Sequence, residues 1–141
     1  MCHMGSITKE MHVTATGADV WGAVRDFGAV HERVVPGFVV DTVMEGDDRI
    51  VTFASGAVAR ERLVTIDDER RRIVYSVVES QLGFTHHQGT VEVLEEARRA
   101  GCYIIWTSDF LPAGPGPIVE ALMAEGAAVM EETFAAVSIP A

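Results

Sequence analysis

The fold is decided by Pro112-Ala113-Gly114-Pro115-Gly116-Pro117 and the run behind it, Ile118-Val119-Glu120-Ala121-Leu122-Met123-Ala124-Glu125-Gly126-Ala127-Ala128-Val129-Met130-Glu131-Glu132-Thr133-Phe134. The proline- and glycine-rich hexapeptide stops any strand before it, and its last proline suits a first helical position. No proline interrupts the chain from Ile118 to Phe134. At about 100° per residue, Ile118, Val119, Leu122, Met123, Val129, Met130 and Phe134 gather on one broad face, with Glu120, Glu125, Glu131 and Glu132 opposite. The spacing predicts an amphipathic helix of about six turns reaching Ala136. Gly126 sits near the middle of the apolar face, where glycine costs roughly 1 kcal/mol against alanine. Two readings fit it: close approach of the helix backbone to a strand, or space kept open for a ligand bordered by Met123 and Met130. Methionine suits an adaptable wall, and equally a plain core.

Upstream, the pattern changes to period two. Ile7, Lys9, Met11 and Val13 alternate with Thr8, Glu10, His12 and Thr14, which predicts an opening strand. Gly17-Ala18-Asp19 begins a helix that brings Val20, Trp21, Val24 and Phe27 together and stops at Gly28, and 29–33 makes one more helical turn before Pro36. Strands are then expected at 37–44, 49–54, 58–67, 72–79, 85–94 and 102–110, separated by turn residues such as Glu45-Gly46-Asp47-Asp48 and Asp68-Glu69-Arg70. The order is strand, two short helices, six antiparallel strands, long helix: an α+β fold with a seven-stranded sheet. One apolar face of that sheet needs a cover, and only the C-terminal helix is long enough. A curved sheet around one long helix encloses space that side chains need not fill, and this is the expected ligand cavity.

At 141 residues and 48% apolar, the chain makes one domain, residues 1–141, with a substantial core. No apolar run is long enough to span a bilayer. Residues 1–8 lack a basic region followed by a hydrophobic segment, so no signal peptide is expected. Cys2 and Cys102 do not form a disulfide framework, which fits a cytoplasmic location. A net charge of −10 argues against nucleic acid and anionic membrane as partners. The expected partner is a small apolar molecule, with the protein a monomer or homodimer. His3, His12, His31, His86 and His87 show no metal-binding spacing, and there is no P-loop, dinucleotide fingerprint or nucleophile elbow, so neither metal nor cofactor is expected.

Along its whole length the chain resembles the SRPBCC (START-like, helix-grip) superfamily, in particular its polyketide cyclase/dehydrase and lipid-transport branch. The residues that carry the resemblance are Val20-Trp21-Gly22-Ala23-Val24-Arg25-Asp26-Phe27, Glu61-Arg62-Leu63 with Asp67-Asp68-Glu69, Tyr75, and Trp106-Thr107-Ser108 before the proline-rich loop. The resemblance implies a helix-grip fold and a ligand between sheet and helix, lipid- or polyketide-like. It equally admits a cyclase/dehydratase-type enzyme. Plant abscisic acid receptors are more distant relatives; their lysine that grips a ligand carboxylate has no match in 37–44, and the loop Ser55-Gly56-Ala57-Val58 is shorter than the receptors' gate.

Strand alternation picks out candidate site residues. Glu61 shares a face with Ala59 and Leu63, away from Arg60 and Arg62. It is either a carboxylate in the cavity wall, reaching ligand through water as in the receptor relatives, or half of a surface salt bridge. Tyr75 alternates with Ile73 and Val77 and points inward, as a ligand contact or a core aromatic. Counting back from Val93 and Val91 puts Gly89 and His87 inside and His86 outside. His87 is then an acid/base group, a polar anchor or a core histidine. Asp109 faces the cavity if Tyr103, Ile105 and Thr107 do, and solvent if Trp106, Ser108 and Phe110 face inward instead. His87, Glu61 and Asp109 are the catalytic candidates. The expected ligand contacts are Val51, Phe53, Glu61, Tyr75 and Val77 from the middle of the sheet, His87 and Gly89 from the next strand, and Met123, Gly126 and Met130 from the helix.

Overall fold

The computed structural model describes residues 3–135; Cys2 and Ala136, which enter the expectations above, lie outside them. Seven strands follow the anticipated order: β1 Gly5–Val13, β2 Val39–Glu45, β3 Asp48–Phe53, β4 Val58–Asp67, β5 Arg72–Glu79, β6 His86–Glu95 and β7 Cys102–Leu111. They form one curved antiparallel sheet in the order β1-β7-β6-β5-β4-β3-β2. Strands β2 to β7 run as a meander, so β1 and β2 are the two edges. The chain therefore has to cross from one edge to the other, and it does so through α1 Gly17–Val24, a 3-10 turn at Phe27–Ala29, and α2 Val30–Arg33. Helix α3, Gly116–Ala135, completes the α+β helix-grip fold.

Local chemistry explains where the connections sit. The Thr16 side chain accepts a hydrogen bond from the Asp19 N–H at 3.1 Å, capping α1, a contribution of about 1 kcal/mol. The Trp21 indole N–H donates to Asp68 at 2.9 Å and Arg25 pairs with the same carboxylate at 2.7 Å. Helix α1 is thereby tied to the β4–β5 turn. At the other end of the fold, the Ala15 N–H donates to the Phe134 carbonyl at 3.2 Å, fastening the last turn of α3 to the segment that leaves β1.

The buried face of α3 is narrower than the sequence pattern suggests. Val119, Met123, Gly126, Ala127, Met130 and Phe134 are buried, whereas Ile118 and Leu122 are 51% and 36% exposed. At 100° per residue Leu122 lies about 90° and Ile118 about 130° from the centre of the buried stripe, outside it. The sheet grips a stripe, not a hemisphere.

The register of β7 is set by His87 opposite Phe110, Gly89 opposite Ser108 and Val91 opposite Trp106. Trp106, Ser108 and Phe110 consequently face α3, with Phe110 and Ser108 buried. Asp109 lies on the other face and accepts a hydrogen bond from Ser6 Oγ at 2.6 Å. Of the two registers left open for β7, the one with Asp109 on the outer face is observed, so Asp109 does not join His87 and Glu61 as a candidate within the cavity. Full burial of a phenylalanine favours this register by about 1.5–3 kcal/mol, and it leaves the carboxylate where water can reach it.

Candidate functional site

A cavity of about 130 Å³ lies between the sheet and α3. Its apolar wall comes from Val51 and Phe53 of β3, Val77 of β5, Val91 of β6, and Met123 and Met130 of α3. Val34, Val35 and Phe38, between α2 and β2, close one end. Six polar side chains reach the same space: Arg49, Glu61, Tyr75, His87, Trp106 and Ser108. Leu122 lines the cavity while its outer side is exposed, which marks the mouth. Of the expected contacts, Val51, Phe53, Glu61, Tyr75, Val77, His87, Met123 and Met130 are in the wall. Gly89 and Gly126 are not.

Both glycines make room for aromatic rings instead of for a ligand. A Cβ on Gly89 would fall 2.2 Å from Cζ of Tyr75. The missing side chain lets the tyrosine ring lie across β6, where its hydroxyl accepts a hydrogen bond from the Trp106 indole N–H at 3.1 Å. A Cβ on Gly126 would stand 3.0 Å from the Trp106 ring and 3.2 Å from Phe38. Of the two readings of Gly126, close packing is the one observed. Burial raises the Tyr75 phenol well above its usual pKa, and the nearby Glu61 charge raises it further. Tyr75 is therefore a neutral hydrogen-bonding group at physiological pH.

Glu61 is 8% exposed and pairs with Arg49, its direct cross-strand neighbour, at 2.8 Å. The Arg49 guanidinium also donates to the Phe27 carbonyl at 3.2 Å. It lies over the Phe27 ring, 4.0 Å from the centroid, and within 5.0 Å of the Tyr75 centroid. Such stacking suits the weakly hydrated guanidinium plane. Of the two readings of Glu61, the cavity-wall one is observed; its salt bridge with Arg49 is buried in that wall and is not a surface pair.

His87 Nε2 is 2.9 Å from Ser108 Oγ, and either atom can donate. Phe84 packs edge-on against the imidazole at 4.7 Å between centroids, with Phe110 at 6.1 Å. Burial in this apolar surrounding, with a smaller effect from His86, pushes the His87 pKa down to about 4. The ring is neutral at physiological pH. Its Nδ1 is buried and has no hydrogen-bond partner among the described residues. His86 pairs with Leu111 and, by alternation, takes the opposite face.

Among the polar wall residues, Arg49 was not among the expected contacts, and Trp106 and Ser108 were expected inside in only one of the two registers left open for β7. Arg49 was legible in principle, since alternation with Val51 and Phe53 puts it on the inner face. Trp106 and Ser108 follow once Phe110, the largest apolar side chain near the end of β7, is placed inward. Among the described residues no group of three or more His, Cys, Asp or Glu side chains could hold a metal ion. No helix of the described residues is long and apolar enough to cross a membrane.

A seven-stranded sheet closed on one helix, with a cavity between them, defines a class of helix-grip proteins. The chain belongs to the polyketide cyclase/dehydrase and lipid transport family, whose model matches residues 4–137. No curated protein matches the chain. Among solved structures it is similar to the protein XoxI from Bacillus cereus, with 17% identity, 96% of this chain and 99% of that one covered, and a TM-score of 0.85. A protein from Thermobifida fusca is 27% identical over 92% of this chain and 90% of its own, with a TM-score of 0.75. Norcoclaurine synthase from Thalictrum flavum is 23% identical over 93% of this chain and 86% of its own, with a TM-score of 0.71.

Proposed function

We propose that this protein binds a small, largely apolar molecule, lipid- or polyketide-like, between the sheet and α3. The observation that carries the reading is a cavity walled by valine, phenylalanine and methionine whose few polar groups converge from β3 to β7. Apolar cavities on the order of 150 Å³ stay dry and admit a benzene-sized molecule; a longer ligand would extend past Leu122. Val51, Phe53, Val77, Met123 and Met130 would supply the apolar contacts, with Glu61, Tyr75 and His87 as polar ones. Cytoplasmic residence fits Cys102, a buried free thiol whose pKa burial pushes up to about 11.

A second reading, a cyclase/dehydratase-type enzyme acting on a polyketide-like substrate, is favoured by one observation. His87 is a neutral imidazole on the cavity wall with one ring nitrogen unpartnered. With Glu61 tied to Arg49 and Asp109 on the far face, proton transfer would rest on His87.

The test is saturable binding of the neutral dye N-phenyl-1-naphthylamine, combined with mass spectrometry of whatever co-purifies. One equivalent of dye should bind, and Met123→Trp, which fills the cavity, should abolish binding while leaving the circular dichroism spectrum unchanged. Absence of both dye binding and any co-purifying apolar compound overturns the reading. Recovery of a co-purified compound chemically altered after incubation would favour the enzyme.

A further inference from the structure

We infer that the ligand is uncharged and carries a hydroxyl group that docks on the His87–Ser108 pair. This deepens the binding reading above and rests on it. Two independent features of the wall point to it.

The first is charge. Arg49 and Glu61 are the charged residues of the cavity wall, and they are bonded to each other at 2.8 Å. The wall is therefore neutral as a whole. The guanidinium is further occupied by the Phe27 carbonyl and by its stacking on Phe27. An anionic ligand would find Arg49, the one cation among the described wall residues, already matched, with a carboxylate beside it. A cationic ligand would have to draw Glu61 away from a buried arginine. In a low-dielectric site each costs far more than it would in water. A carboxylic acid, phosphate or amine ligand is disfavoured on this ground.

The second is an incomplete hydrogen-bond set. Buried polar atoms are nearly always paired, yet His87 Nδ1 is buried without a partner. Ser108, 3% exposed and also in the wall, has His87 Nε2 as its side-chain partner, although a hydroxyl has one donor and two acceptor positions. The shared proton can lie either way. If Ser108 donates to Nε2, then Nδ1 carries the hydrogen and needs an acceptor. If Nε2 donates to Ser108, then Nδ1 offers a lone pair and the serine hydrogen is free. A ligand carbonyl can accept from Nδ1–H in the first arrangement and from the serine hydroxyl in the second, but in the second it leaves the Nδ1 lone pair without a donor. A hydroxyl, both donor and acceptor, can partner Nδ1 in either arrangement.

Three probes with one skeleton test this: naphthalene, 2-naphthol and 2-naphthoate, titrated by calorimetry at neutral pH. For the unaltered protein we expect 2-naphthol to bind about three- to tenfold more tightly than naphthalene, the increment of one net hydrogen bond, and 2-naphthoate to bind most weakly. Ser108→Ala and His87→Phe should each bring the naphthol-to-naphthalene ratio close to one. His86→Ala should leave it unchanged. Glu61→Gln, which unbalances Arg49, should selectively improve 2-naphthoate. If naphthalene binds and 2-naphthol binds no better, or if the preference survives both Ser108→Ala and His87→Phe, the hydroxyl assignment is wrong while the cavity reading stands. Tightest binding of 2-naphthoate would overturn the uncharged-ligand assignment. If none of the three binds, the binding reading itself fails and this inference falls with it.

Discussion

Asp48 and Arg49 are neighbours in β3, and their side chains leave the sheet on opposite faces; so do Arg60, Glu61 and Arg62 in β4. The result is two ionic clusters back to back across one sheet. On the outer face Asp48 is bonded by Arg60 at 2.8 Å and by Arg62 at 2.8 and 3.1 Å, and Arg60 extends the cluster to Glu45 at 2.7 Å. These arginine contacts hold the Asp48 carboxyl down at about 2. On the inner face, among the described residues, there is a single pair, Arg49 and Glu61, beneath aromatic rings. The outer cluster has five charged members, Glu79 being the fifth, of which Glu45, Arg62 and Glu79 are more than half exposed. The inner pair has two members, both buried. Numbers of contacts favour the outside, where Asp48 is itself buried but its partners Glu45, Arg62 and Glu79 reach water; screening of those partners weakens the outer cluster more than the inner pair. The inner pair matters less for its net stabilisation, which desolvation largely cancels, than for the charge balance it imposes on the cavity.

Breaking each cluster at one residue should separate them. The largest effect is expected for Glu61→Ala, which leaves Arg49 buried without its anion. Urea denaturation should show a loss of about 3–5 kcal/mol. The double variant Arg49→Met/Glu61→Leu should recover most of that loss, which would demonstrate that the cost is an unmatched charge and not a lost attraction. A single-variant loss below about 1 kcal/mol would mean water reaches the inner pair. Next comes Gly89→Ala. The new methyl group has to displace the Tyr75 ring, and overpacking of this kind costs about 1–3 kcal/mol. Trp106 fluorescence should change in the same variant as the indole loses its tyrosine partner.

The pH dependence sharpens the comparison between inner and outer histidines. An unfolded imidazole takes up its proton near 6.5, whereas folded His87 does so only at about 4. Between these values the unfolded state binds more protons, so stability falls as the pH falls, and below about 4 this contribution levels off. The slope is at most about 1.4 kcal/mol per pH unit, the effect of one proton. It should disappear in His87→Phe and persist in His86→Ala, as followed by thermal denaturation at a series of pH values. The smallest effect is expected for Arg62→Ala on the outer face, less than about 1 kcal/mol and further reduced by added salt. Salt should leave the Glu61→Ala loss almost untouched.

Much of the fold was legible because the sequence repeats the same signals at several levels. Strands β4 and β5 coincide with the expected 58–67 and 72–79, since Asp68-Glu69-Arg70 punctuates two clean alternations and Arg71 completes the turn at φ 51°. Strand β2 begins at Val39 and not at residue 37 because Gly37 takes φ +87°, outside strand geometry. The site was less legible. Parity placed His87, Glu61 and Tyr75 on the inner face, but parity says nothing about partners. Arg49 became the partner of Glu61 only through the β3–β4 register, and β7 is apolar enough on both faces that Asp109 could not be oriented by alternation alone. The two glycines show the other limit. A missing side chain marks close approach or open space equally well, and only the positions of Tyr75, Trp106 and Phe38 distinguish the two.

The alternation of charge along β3 and β4 has a consequence for how the chain finds its register. Shifting β3 by one residue would turn Asp48 inward, against Glu61, and send Arg49 outward to join Arg60 and Arg62. Two carboxylates would then meet in a dry interior while three guanidiniums crowded the surface, and Val51 and Phe53 would leave the core. Like charges set directly opposite one another are penalised even on an open sheet. A misaligned hairpin is therefore opposed on both faces at once, and the same residues that make the cavity neutral also proofread the pairing of the strands that build it.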